Sequence, residues 1–144
     1  MKKLLTIILI TWGFAATAQP FAQVGIGGAI TSGNMAFSQT MDIGWVFPTN
    51  PNYGGWMAAG TLANDFGHGV SYGGFVGYMG YQLSLYGGIS NFKSFVKNGQ
   101  EERVYPIFGA TFRWEDSPAI VDLRLQHNSA ILTFGIRMPF RNQR

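Results

Sequence analysis

A chain of 144 residues with 10 basic and 7 acidic side chains has a net charge of +3, and Lys2 and Lys3 at its start supply two of the basic ones. No basic stripe follows, which excludes nucleic-acid binding as the organising function, and the absence of cysteine excludes a disulfide framework or a lipid-modified cysteine. Twenty glycines, 15% aromatic residues and only 12% charged residues are too little charge for an ordinary water-facing surface, where about a quarter of residues are charged.

Residues 1–18 read as a secretory signal peptide. Lys2 and Lys3 precede an apolar run from Leu4 to Ile10, and Ala16-Thr17-Ala18 supplies the small-residue cleavage pattern. The apolar run is shorter than the ~20 residues of a spanning helix. Residues 19–144 are then the expected mature domain.

From there the period is two, with no sustained helical period, and clusters of Gly, Asn, Asp and Pro punctuate it. Eight strands are predicted, at 22–30, 35–47, 54–63, 69–79, 81–90, 103–114, 119–127 and 130–140. Most have the ~9–11 residues that a tilted strand uses to cross a bilayer. The links TSGN, PTNPNY, NDFGHG, a turn near Gly80, EDSP and HNSA are short, and NFKSFVKNGQEE at 91–102 is longer. Short links join antiparallel neighbours, so the fold expected is all-β, an eight-stranded antiparallel up-and-down barrel.

The charges choose the inside. Asp42, Arg103, Arg113, Asp122, Arg124 and Arg137 each alternate away from the bulky apolar residues of their own strand. On the second strand Phe37, Met41, Ile43, Trp45 and Phe47 share one face, and Ser38, Thr40, Asp42 and Gly44 share the other. The sixth strand likewise sorts Val104, Phe108, Phe112 and Trp114 from Tyr105, Gly109, Thr111 and Arg113. An eight-stranded lumen is only wide enough for side chains. The polar face fits inside, the apolar face meets lipid, and closure satisfies every strand edge. With both termini periplasmic, Trp45, Trp56, Trp114 and Phe140 form an aromatic girdle at the periplasmic end, and the long link 91–102 projects outward.

The pattern of 19–144 resembles the small OmpA/OmpX-type outer-membrane barrels. The resemblance is sharpest at Thr133-Phe-Gly135-Ile-Arg-Met138-Pro-Phe140, similar to the terminal-strand signal that such barrels present to the assembly machinery. The tail Arg141-Asn-Gln-Arg144 departs from the family, which usually stops at the aromatic. The resemblance implies a Gram-negative outer membrane after export, with lipids and lipopolysaccharide as surroundings, the barrel assembly machinery as a transient partner, and a monomer.

Two sets of side chains are candidate sites. Asp42, Arg113, Asp122, Arg124 and Arg137 form a lumen charge network, because buried charges must be paired. With a plugged lumen of this width no conducting pore is expected. The second set is His127 and Ser129, placed by the alternation of Val121, Leu123 and Leu125 on the lipid side of the seventh strand. A His can activate a Ser hydroxyl when a third group orients its ring. Arg124-x-x-His127-x-Ser129 is similar to the active-site segment of lipid A 3-O-deacylases, which implies Ser129 as nucleophile and His127 as its base. Ala130 stands where that family has Asn, and no Asp or Glu follows Ser129. Asp65, Glu101 and Glu102 are the carboxylates left to orient the ring.

The expected function is therefore that of a non-enzymatic outer-membrane barrel, structural or surface-interacting through loop 91–102. Lys93, Lys97, Glu101 and Glu102 make that loop a solvated one. A lipid A deacylase-like hydrolase using Ser129 and His127 is the alternative. No cofactor is expected, and no metal, since His68 has no second His nearby.

Overall fold

The computed structural model describes residues 18–31, 34–50, 54–66, 69–94, 103–115, 117–126 and 129–139. They form eight strands: β1 (Gln19–Thr31), β2 (Asn34–Asn50), β3 (Gly54–Asp65), β4 (Gly69–Gly80), β5 (Leu83–Ser94), β6 (Arg103–Arg113), β7 (Ala119–Gln126) and β8 (Ser129–Pro139). Each pairs antiparallel with its neighbour in sequence, and β1 closes on β8 from Phe21 opposite Pro139 to Thr31 opposite Ser129. The result is a closed up-and-down barrel with no free sheet edge. The expected leader, apart from Ala18, lies outside the described residues.

Four strands, β1, β2, β3 and β5, outrun the predicted boundaries by two to four residues at one end. β2 continues past Phe47 to Asn50 with a register shift between Pro48 and Asn50, the bulge that a residue without an N–H donor introduces into a ladder. β5 runs to Ser94, so 91–94 belong to the barrel wall rather than to the long link. The remainder of that link, 95–102, lies outside the described residues. Gly54 opens β3 at φ 113°, a left-handed value that disfavours a side chain. A Cβ there would also meet the Met79 carbonyl oxygen at 1.8 Å.

β1, β3, β5 and β7 run from a near end of the barrel to a far end and β2, β4, β6 and β8 return, so Gln19 and Pro139 both lie at the near end. Its wall is apolar outside: Ile26, Trp56, Val76, Ile89 and Val104 are 56–65% exposed, whereas Asp42, Asp122 and Arg124 are 0–1% exposed inside. Trp45, Trp56 and Trp114 are exposed near one end, Trp56 edge-on to Tyr78 and Trp114 edge-on to Phe112. Phe140 lies outside the described residues.

The inward face carries more than small and charged residues. Phe21, Val46, Met57, Phe75, Tyr86 and Ile107 pack into one buried cluster. Ile131 and Ile120 are also buried. These side chains share the inward face with Asp42 and Arg124, so apolar and ionic groups occupy the interior together. Bulky residues fit because glycines and alanines such as Gly25, Gly44, Gly109 and Ala63 face inward beside them.

Candidate functional site

Arg124, on β7, is the hub of the buried network. Its Nη2 donates to Asp42 Oδ2 of β2 at 2.9 Å and to Asp122 Oδ2 at 3.3 Å. Its Nη1 donates to Thr61 of β3 at 2.5 Å and its Nε to the Tyr86 hydroxyl of β5 at 3.1 Å. The Tyr86 O–H in turn donates to Asp122 at 2.9 Å, and Thr111 of β6 donates to the same carboxylate at 2.6 Å.

Gln23 of β1 links a second arginine to the first. Its Nε2 donates to Asp42 at 2.7 Å, and its Oε1 accepts from Arg137 Nε of β8 at 3.0 Å. Arg137 also donates to Ser84 of β5 at 3.1 Å. Phe75 of β4 completes the ring, with its centroid 4.4 Å from that of Tyr86 and 6.0 Å from the Arg124 guanidinium carbon. Cation–π contact of this kind supplements the hydrogen bonds of a desolvated guanidinium.

All eight strands thus meet in one cluster holding two carboxylates and two guanidiniums. Balanced charge and saturated hydrogen bonding are what make such burial tolerable. The cluster spans the lumen, because Arg124 reaches across from β7 to β2 and β3.

The sequence brought four of the five expected charges here: Asp42, Asp122, Arg124 and Arg137. Arg113 shares their inward face but is only half-buried, with its guanidinium carbon 5.3 Å from the centroid of the Tyr81 ring in the β4–β5 turn. The end of a strand leaves Arg113 beside water rather than among the carboxylates. The side chain of Arg103 lies outside the described residues.

Gln23, Thr61, Ser84, Tyr86 and Thr111 are partners that sequence reasoning passed over. Tyr86 had a signal, a buried-face tyrosine whose cross-strand partner is Gly109. A Cβ on Gly109 would lie 2.2 Å from Tyr86 Cζ, in the space the ring occupies. Gly109→Ala is therefore expected to cost about 1–3 kcal/mol, as overpacking does, measured as a lower urea midpoint. Much of the loss should return when Tyr86→Leu is added. An unchanged midpoint in the single variant would mean that the ring moves aside freely.

Asp65 is a further buried carboxylate. It ends β3 instead of lying in a loop, and it accepts the Ser38 hydroxyl at 2.5 Å.

Ser129 stands on the other face from the one expected. It opens β8 opposite Gln126, and Gln126 is buried in the lumen, accepting from Ser71 at 3.3 Å. Residues paired across strands share a face, so Ser129 alternates with Ile131 and Thr133 toward the inside. Carrying the β7 alternation past Gln126 is what misplaced it. His127 lies outside the described residues, as do His68, Lys97, Glu101, Glu102 and the side chain of Lys93.

Comparison with protein-family models, with curated proteins and with solved structures finds no match to this chain.

Proposed function

We propose that this chain is a small outer-membrane β-barrel of the OmpA/OmpX type, exported by its leader, with a plugged lumen and a structural or surface-interaction role through the link 95–102. The observation that carries it is the inverted polarity of a closed barrel: an apolar wall outside and an ion network within. In hydrocarbon every backbone group must be bonded internally, which closed barrels achieve, and their outer wall is an apolar band. Trp45, Trp56 and Trp114 suit an interfacial girdle at the near end.

Lipids and lipopolysaccharide are its surroundings in this reading, and the assembly machinery engages β8. A non-enzymatic role is favoured over a lipid A deacylase, since Ser129 alternates with lumen residues and the set lacks an assigned acid.

The chain expressed with its leader in a Gram-negative host should fractionate with the outer membrane and run as a faster, unboiled band in gel electrophoresis. Recovery in the soluble fraction without detergent would overturn the membrane reading. Deleting 96–101 should leave the heat-dependent band shift intact while removing any surface-binding phenotype. Loss of the shift would make the link structural and end the surface-interaction reading.

A further inference from the structure

Between the aromatic girdle and the far end, the outward polar side chains of the described strands lie on β2 to β5. Tyr72 and Asn91 are bonded to each other, with Asn91 Nδ2 donating to the Tyr72 hydroxyl at 2.8 Å. Gln39 and Asn64 stand directly opposite each other on β2 and β3, between Met41 and Leu62 and the far-end residues. Among the described residues neither amide bonds to another side chain. A primary amide facing hydrocarbon without partners is costly.

The two amides border a groove of about 620 Å³ whose other lining is Val24, Ile26, Met41, Leu62, Phe134 and Ile136, with Gly25, Gly135 and Thr40 between them. That size is within the ~300–1,000 Å³ of small-molecule sites. Its walls are apolar and carry no charge, and its polar groups are confined to one side, so it suits an amphiphile whose apolar part is a chain.

The polar side narrows the chemistry further. Each side-chain amide offers both N–H donors and a carbonyl acceptor. The secondary amide that links an acyl chain to a headgroup offers the same pair in complement, whereas a glycerol ester only accepts.

Resting on the membrane reading above, we infer that this groove seats one acyl chain of an amide-linked glycolipid of the lipopolysaccharide class, its linkage amide hydrogen-bonded by Gln39 and Asn64. The barrel then carries a lipid at a fixed place on its wall rather than a uniform annulus.

The cysteine-free sequence permits a nitroxide at a single introduced cysteine. Ile43→Cys, two residues from Met41 on the outward face, reports on the groove, and Leu85→Cys on β5 reports on the opposite wall. Each labelled protein is placed in phosphatidylcholine vesicles and titrated with lipopolysaccharide. The label at position 43 should be immobilised saturably, near one lipid per protein, with position 85 unaffected. Adding Gln39→Leu and Asn64→Leu should weaken the saturable response at least several-fold while the heat-dependent band shift persists.

Equal responses at both positions would overturn the site. So would full immobilisation in phosphatidylcholine alone, which assigns the groove to ester lipids, or dipolar broadening between labels at position 43, which assigns it to a second copy of the chain. Failure of the protein to float with the vesicles would instead defeat the membrane reading itself.

Discussion

Arg124→Met is expected to lower barrel stability by about 3–5 kcal/mol, the range for breaking a buried ion pair from one side. Methionine has similar length, so little space opens, and the cost comes from Asp42 and Asp122 left in the lumen without their shared cation. Thr61 and Tyr86 lose a donor at the same time. The readout is the urea midpoint of the barrel in phospholipid vesicles, followed by tryptophan fluorescence. Adding Asp42→Asn and Asp122→Asn should recover much of the loss, because a neutral site no longer holds unpaired charge. A loss below about 1 kcal/mol in the single variant would mean that the carboxylates find other partners or protonate at little cost.

The outer wall yields the second large effect. Ile89, in the middle of β5, is 61% exposed on the outward face. In a bilayer, Ile89→Arg is expected to cost about 2–4 kcal/mol, as cations at the midplane of lipid-facing walls do, and the penalty falls to about 0–1 near the interfaces. Met35→Arg at the far end, where the residue is 80% exposed, should therefore be nearly neutral in the same assay. The contrast between the two positions is the diagnostic quantity. If both variants stay within about 0.5 kcal/mol of the parent, they behave as ordinary water-exposed substitutions, and the wall does not face lipid.

The strand count, the antiparallel order and the inward turn of the charges were legible because period-two alternation and turn residues are local signals. The lumen's apolar residues were not. At Phe75-Val76, Ile107-Phe108 and Ile131-Leu132 both neighbours are apolar, so alternation says nothing about which side chain enters the barrel. Only the register decides, and it turns Phe75, Ile107 and Ile131 inward. Within the network the charged residues stood out in a chain with few charges. Their neutral partners Gln23 and Thr61 come from strands far away in sequence, and nothing short-range marks them. Ser129 failed for a different reason: parity does not carry from one strand to the next, and the pairing with Gln126 has to be known before its face can be assigned.

The long reach of the two arginines also bears on how the chain gets to this state. Arg124 bonds a residue 82 positions away and Arg137 one 114 positions away, so both guanidiniums depend on β1, β2 and β3 having met β7 and β8. Contacts so remote in sequence form late, since the entropy of closing the intervening chain must be overcome first. A partly assembled sheet lacking its last strands holds Asp42 facing inward with no cation opposite it. Such an intermediate gains little by desolvating its lumen, and the seam between β1 and β8 becomes the step at which the interior can dry. Closure is then coupled to charge neutralisation, which favours all-or-none completion over a long-lived open sheet.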